Sequence, residues 1–172
     1  MVATGKTTVV VVTDANVVIN FIHVGLLGEL PRLVGMSFVI TDEVYEEITR
    51  PEQRAILDVA LAAGTWTRES IVEPATIAMF AELAAILGRG ESSSLALAVE
   101  RGCFIASDER RAFLREARSR LGERRIVNAP GLLLLAIRAG KLTAADADHV
   151  KAVLETNSFK MKFGSFADLV DR

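Results

Sequence analysis

Asp14, Glu47, Glu91 and Asp108 are the residues of this 172-residue chain whose types and placement could do chemistry together. Carboxylates without sulfur or imidazole beside them form a hard oxygen donor set, suited to Mg²⁺ or Mn²⁺ and poorly suited to zinc or copper. Acids brought together without a cation repel one another and raise each other's pKa, so their convergence is favourable only around a metal. A metal so held can bind a phosphate oxygen and lower the pKa of a water for in-line attack on a phosphodiester. Metal-dependent hydrolysis is the chemistry this set points to.

Such a set needs a scaffold that gathers it. Thr8 to Thr13 is a β-branched run without a polar break, and Asp14-Ala15-Asn16 follows directly. A run of this kind reads as a strand buried on both faces, as in parallel sheets. Cys103-Phe104-Ile105-Ala106-Ser107 repeats the pattern and ends on Asp108-Glu109. Ligands of open α/β sheets bind beyond the carboxyl ends of the strands, so both strands should deliver a carboxylate to one edge.

The remaining pattern supplies the other two acids. Ser37 to Ile40 reads as a strand, and Thr41 or Asp42 caps a helix carrying Val44, Glu47 and Ile48 until Arg50-Pro51 ends it. Asp14 can cap a helix to about His23, and Gly25 and Gly28 mark a turn or a short second helix before Pro31. Residues 52–63 read as helix and 65–72 as a peripheral strand. Pro74 opens a long helix with Ile77, Phe80, Leu83, Ala84 and Leu87 on one side, which Gly88-Arg89-Gly90 breaks. Glu91 opens the next helix, with Leu95, Ala98 and Val99 as its buried stripe. An Arg-rich helix, a short strand Ile126-Val127, a helix over about 130–139 and one capped by Thr143 follow. Strands alternating with helices predict the α/β class with a parallel sheet.

Bulk properties exclude several classes. No Pro/Gly/Ser-rich stretch or charge block marks a linker, so one domain is expected. An apolar fraction of 51% with 24% charged residues excludes a wholly disordered chain. The longest apolar run, Leu132 to Ile137, is far short of the roughly 20 residues of a membrane span. With no secretory pattern near the N-terminus, a cytoplasmic location is expected. A single cysteine, Cys103, and two histidines, His23 and His149, exclude a disulfide framework and a Cys/His zinc cluster. Gly5-Lys6-Thr7 lacks the leading glycine segment of a phosphate-binding loop and precedes a strand instead of following one. The net charge of -2 gives no general footprint for nucleic acid. Arginines nevertheless crowd residues 110–125, either as a basic surface beside an acidic pocket or as a solvated helix face answering Glu109, Glu116 and Glu123.

Taken singly, each acid has an ordinary role. Asp14 and Asp108 can be helix caps, Glu47 a solvated helix residue, and Glu91 a first-turn acid favoured by the helix dipole. Their order and spacing say more. Val11-Val12-Thr13-Asp14-Ala15-Asn16, Ile40-Thr41-Asp42 through Glu47-Ile48, Gly90-Glu91-Ser92 and Phe104-Ile105-Ala106-Ser107-Asp108-Glu109 resemble the motifs of PIN-domain ribonucleases, the fold of many VapC-type toxins. Val127-Asn128-Ala129-Pro130-Gly131 and Ala139-Gly140-Lys141-Leu142 resemble the tail of a Gly-Glu-rich subgroup of predicted nucleic-acid-binding PIN proteins.

The resemblance implies a three-layer sandwich, its parallel sheet flanked by helices, with a core over about 8–128 and a helical extension over about 129–172. It implies a Mg²⁺ or Mn²⁺ site and cleavage of single-stranded RNA, as the toxin of a toxin-antitoxin pair. Asp14, Glu47, Glu91 and Asp108 would be metal ligands or acids one step removed, and Asn16 would orient water or ligand. Glu91, one methylene longer than the family's Asp, could hold the metal through water. Ser107 leaves open whether Asp108 or Glu109 faces the pocket, with strand register favouring Asp108. Arg110 and Arg111 are our own expectation for phosphate contacts. Expected partners are RNA, a small antitoxin and a second copy of the chain, with the apolar helices around 17–30 and 52–62 as the surface. The rival from another class is a PIN module that binds RNA or protein without cutting.

Overall fold

The computed structural model describes residues 8–109 and 111–170, so Gly5-Lys6-Thr7 and Arg110 lie outside the described residues. Among the described residues five strands, β1 (Val9–Thr13), β2 (Met36–Thr41), β3 (Trp66–Glu69), β4 (Phe104–Ala106) and β5 (Ile126–Val127), form one sheet in the order β3-β2-β1-β4-β5. Every pairing is parallel. The helices are α1 (Ala15–His23), α2 (Leu30–Val34), α3 (Asp42–Glu47), α4 (Pro51–Ala62), α5 (Pro74–Leu83), α6 (Arg89–Arg101), α7 (Ala112–Leu121), α8 (Ala129–Arg138), α9 (Ala144–Thr156) and α10 (Ala167–Val170).

Side chains alternate across a strand, and two apolar cores result. Val11, Phe38, Ile40 and Ala106 face one core with α1, α3, α4, α8 and α9. Val12, Val39 and Ile105 face the other with α5, α6 and α7. These are the three layers of a PIN-like α/β sandwich. The order reverses between β1 and β4: one neighbour leads toward β2 and β3, the other toward β5. A reversal of this kind opens a crevice at the carboxyl ends of the strands.

Local expectations need correction at three places. The chain over 65–72 pairs only from Trp66 to Glu69, as the sheet's edge, while Trp66 itself is buried, stacks on Phe38 and donates its indole N–H to Leu27 O at 2.8 Å. Before Pro31 the chain takes the turn of the two expected arrangements, over 24–25 and 27–29, and α2 begins at Leu30 because proline is well accommodated in a first turn. α5 ends at Leu83 and leaves Ile77 exposed. Gly88-Arg89-Gly90 starts α6 rather than merely breaking its predecessor, and Glu91 is its third residue.

α6 is buried nearly all round, which a single apolar stripe does not anticipate. Ser92, Ser93 and Ser94 are fully buried between the sheet and neighbouring helices. Their hydroxyls are satisfied, by Gly88 O at 2.7 Å, by Gly90 O at 3.1 Å with Thr41 Oγ1 at 2.7 Å, and by Thr13 O at 3.4 Å. Unbonded, each would cost about 1–3 kcal/mol. Among the described residues no helix is long and apolar enough to cross a membrane.

Candidate functional site

Thr13 of β1 lies opposite Ala106 of β4, so the residues leaving the two strands, Asp14 and Ser107, meet. Asp14 N–H donates to Ala106 O at 3.0 Å, and the Ser107 hydroxyl donates to Asp14 Oδ2. Asp14 Oδ1 accepts the Val17 N–H at 3.0 Å, which caps α1. Asp14 is thus both a helix cap and a carboxyl only 2% exposed at the crevice. Burial pushes its pKa up to about 7; the charges of Asp108 and Glu109 add to that, while the Ser107 and Val17 hydrogen bonds oppose it.

Beyond Ser107 the two acids part company. Asp108 Oδ2 accepts the Asn20 side-chain N–H at 2.8 Å, and Oδ1 accepts the Ala129 N–H at 2.8 Å, in the first turn of α8. Glu109 instead accepts from the side-chain amide of Asn16. Asn16 and Asn20 stand one turn apart on one face of α1, so a single helix holds both acids. Glu109 also raises the pKa of Glu91.

Helix ends carry the other pair. Thr41 closes β2 and caps α3 by accepting the Val44 N–H at 3.3 Å. Glu47, the last residue of α3, accepts the Gly90 N–H at 2.7 Å. This places its carboxylate at the partly positive N-terminus of α6. A Cβ on Gly90 would fall 2.8 Å from Glu47 Cδ, so only glycine permits this approach. Glu91 accepts the Gly88 N–H at 3.4 Å, and its pKa is pushed up by burial first, then by Glu109 and by Glu47, against the Gly88 bond.

A family model described as a PIN domain matches residues 10–162. The chain belongs to the PIN-domain family. No curated protein matches it.

In this PIN domain the acids form an electrostatic chain: Glu47 acts on Glu91, Glu109 acts on Glu91 and Asp14, and Asp108 acts on Asp14. Mutual repulsion of this kind is what a divalent cation relieves, and the donors are the hard oxygens that suit it. The side chains themselves are not closed around a point. Among the described residues no three acidic, histidine or cysteine side chains form a group that could hold an ion. The residues fit a hard cation by charge and donor type, in an open arrangement.

Sequence reasoning named Asp14, Glu47, Glu91, Asp108 and Asn16, and all five lie along this edge of the PIN domain. Arg111 is exposed just before α7, with φ at 54°, unusual for a residue with a side chain. Glu109, the expected alternative to Asp108, lies there as well, and Asn20, Ser107 and Gly90 complete the arrangement through their hydrogen bonds. One signal was readable: Asn20 is a polar residue four positions after Asn16 in an otherwise apolar helix. Of the arginine-rich stretch, Arg118 pairs with Glu123 at 2.9 Å and Arg120 with Glu82 at 2.6 Å. The partner surface expected around 17–30 is largely spent on the core, since Val17, Val18, Phe21 and Leu30 are buried, whereas α4 leaves Ile56 and Val59 exposed.

Proposed function

We propose that this PIN domain is a metal-dependent endoribonuclease that cleaves single-stranded RNA, with Asp14, Glu47, Glu91 and Asp108 as its acids and Glu109 beside them. The observation that carries the reading is Asp14: a buried carboxyl with a pKa of about 7, at the strand-order reversal, facing other carboxylates that each raise it further. Nothing in the packing of a helix cap requires that crowding. A bound Mg²⁺ or Mn²⁺ would supply a polarised phosphate oxygen and a water of lowered pKa. The protein's own part is to hold the donors. Ser107 fixes Asp14 Oδ2, Asn20 and the Ala129 N–H fix Asp108, Asn16 fixes Glu109, and the Gly90 N–H fixes Glu47.

The test is cleavage of a 5′-labelled unstructured RNA by the purified protein with Mg²⁺ or Mn²⁺, with and without chelator. Cleavage should stop with EDTA and fall by about 100-fold or more in Asp14→Asn, equivalent to roughly 3 kcal/mol of barrier. Cleavage that survives both chelation and the substitution refutes the reading. A wild type that binds RNA tightly but cuts nothing would establish the non-catalytic module in its place. The toxin role rests on the motif resemblance, with Ile56 and Val59 offering an exposed apolar surface on α4 to a small antitoxin or a second copy. Its check is whether a small protein encoded beside this one co-purifies with it and silences cleavage.

A further inference from the structure

A groove of about 570 Å³ opens beside the acidic edge. Ser107, Asp108 and Glu109 line it together with residues of α7, β5 and the start of α8, and residues 159–163 also border it. That segment is held in place. After α9, Ser158 turns the chain with φ at 68°, and Phe159 N–H donates to Leu154 O at 3.0 Å. Farther on, Asp148 accepts the Ser165 hydroxyl at 2.6 Å and the Phe166 N–H at 2.8 Å, and Phe166 is fully buried.

Between these anchors the side chains alternate. Phe159, Met161 and Phe163 are half-buried against the first core, while Lys160 and Lys162 are exposed. The groove therefore carries two exposed lysines and partly exposed aromatic rings on this segment and carboxylates on the Ser107–Glu109 turn. Its remaining charges largely answer each other, since Arg118 pairs with Glu123 at 2.9 Å. Lys160 also lies within electrostatic reach of Glu155.

We propose that this groove is the track for a single-stranded polynucleotide, with Lys160 and Lys162 holding its phosphates on the way to the acidic edge. The alternation of cation and ring suits such a ligand, whose phosphates seek lysine and whose bases stack on aromatic faces. The direction of the track rests on the nuclease reading of the acids, while binding itself does not.

The test is fluorescence anisotropy with labelled 16-nucleotide oligouridine in EDTA, over a salt series. Lys160→Ala/Lys162→Ala should weaken binding at least tenfold at low salt and reduce the slope of log affinity against log salt by about 1.4, the loss of two phosphate contacts. Arg138→Ala/Lys141→Ala removes equal charge at the far end of α8 and should leave both values unchanged. Equal losses in the two double variants, or no loss in the first, overturn the proposal. So does equal binding of a labelled 16-residue polyglutamate. A protein that binds oligouridine through Lys160 and Lys162 but cuts nothing keeps the track and refutes the nuclease. One that cuts, with Lys160→Ala/Lys162→Ala binding and cutting equally, does the reverse.

Discussion

The strand-borne and helix-borne halves of the acidic edge are built on different principles. Asp14 and the Ser107–Glu109 turn are placed by the parallel register of β1 and β4, which leaves a carboxyl buried at their shared end. Glu47 and Glu91 are placed by helix ends, one accepting from the first turn of α6 and the other sitting within it. The difference is one of tolerance. A sheet register cannot shift without turning side chains to the opposite face, whereas a side chain at a helix end can swing away.

Substitutions should therefore divide between the halves. Asp14→Asn is expected to have the largest effect, about 100-fold or more on RNA cleavage measured under single-turnover conditions. Asn20→Ala comes next. It removes the donor to Asp108 Oδ2 from a nearly buried position, so cleavage should fall about 10- to 100-fold and chemical denaturation should report a loss of about 1–3 kcal/mol. Gly90→Ala tests the helix-borne half. Its new Cβ displaces the flexible Glu47 carboxylate rather than backbone, so cleavage should fall about tenfold with little change in melting temperature. If Gly90→Ala unfolds the protein while Asn20→Ala does not, the contrast in tolerance is reversed.

Titration sharpens the same contrast. In the metal-free protein the pKa of Asp14 is raised from 3.8 to about 7, so the folded state holds this proton more tightly than the unfolded chain. The resulting stability is fully present below pH 3.8 and is lost as pH rises through about 7, a change of roughly 4 kcal/mol. Asp14→Asn should therefore raise the melting temperature of the metal-free protein at pH 8 and lose that advantage near pH 4. A variant destabilised at both pH values would show that the charge of Asp14 is not penalised by folding.

The strand-borne half was the more legible in sequence. The β-branched run before Asp14 and the apolar run before Asp108 mark buried parallel strands, and both were read to within about a residue. Ser107 left Asp108 against Glu109 open, with register favouring Asp108, and the residues that hold each of them, Asn20 and Asn16, lie on a different element. The start of α6 was misread because Gly88-Arg89-Gly90 looks like a break, while its glycine is needed for the approach of Glu47, 43 residues earlier. The burial of three consecutive serines was equally hidden, since their hydroxyls are satisfied partly by distant groups on β1 and β2. Local pattern marks an element, and long-range hydrogen bonding decides which of its polar residues turn inward.

The proposal that these acids together hold a cation is tested most directly by calorimetric titration of Mn²⁺ into wild type and Asp14→Asn at pH 7.5. The account predicts saturable binding by the wild type, weakened about tenfold or more by the substitution. Equal affinities, or no binding by a folded wild type, would contradict it.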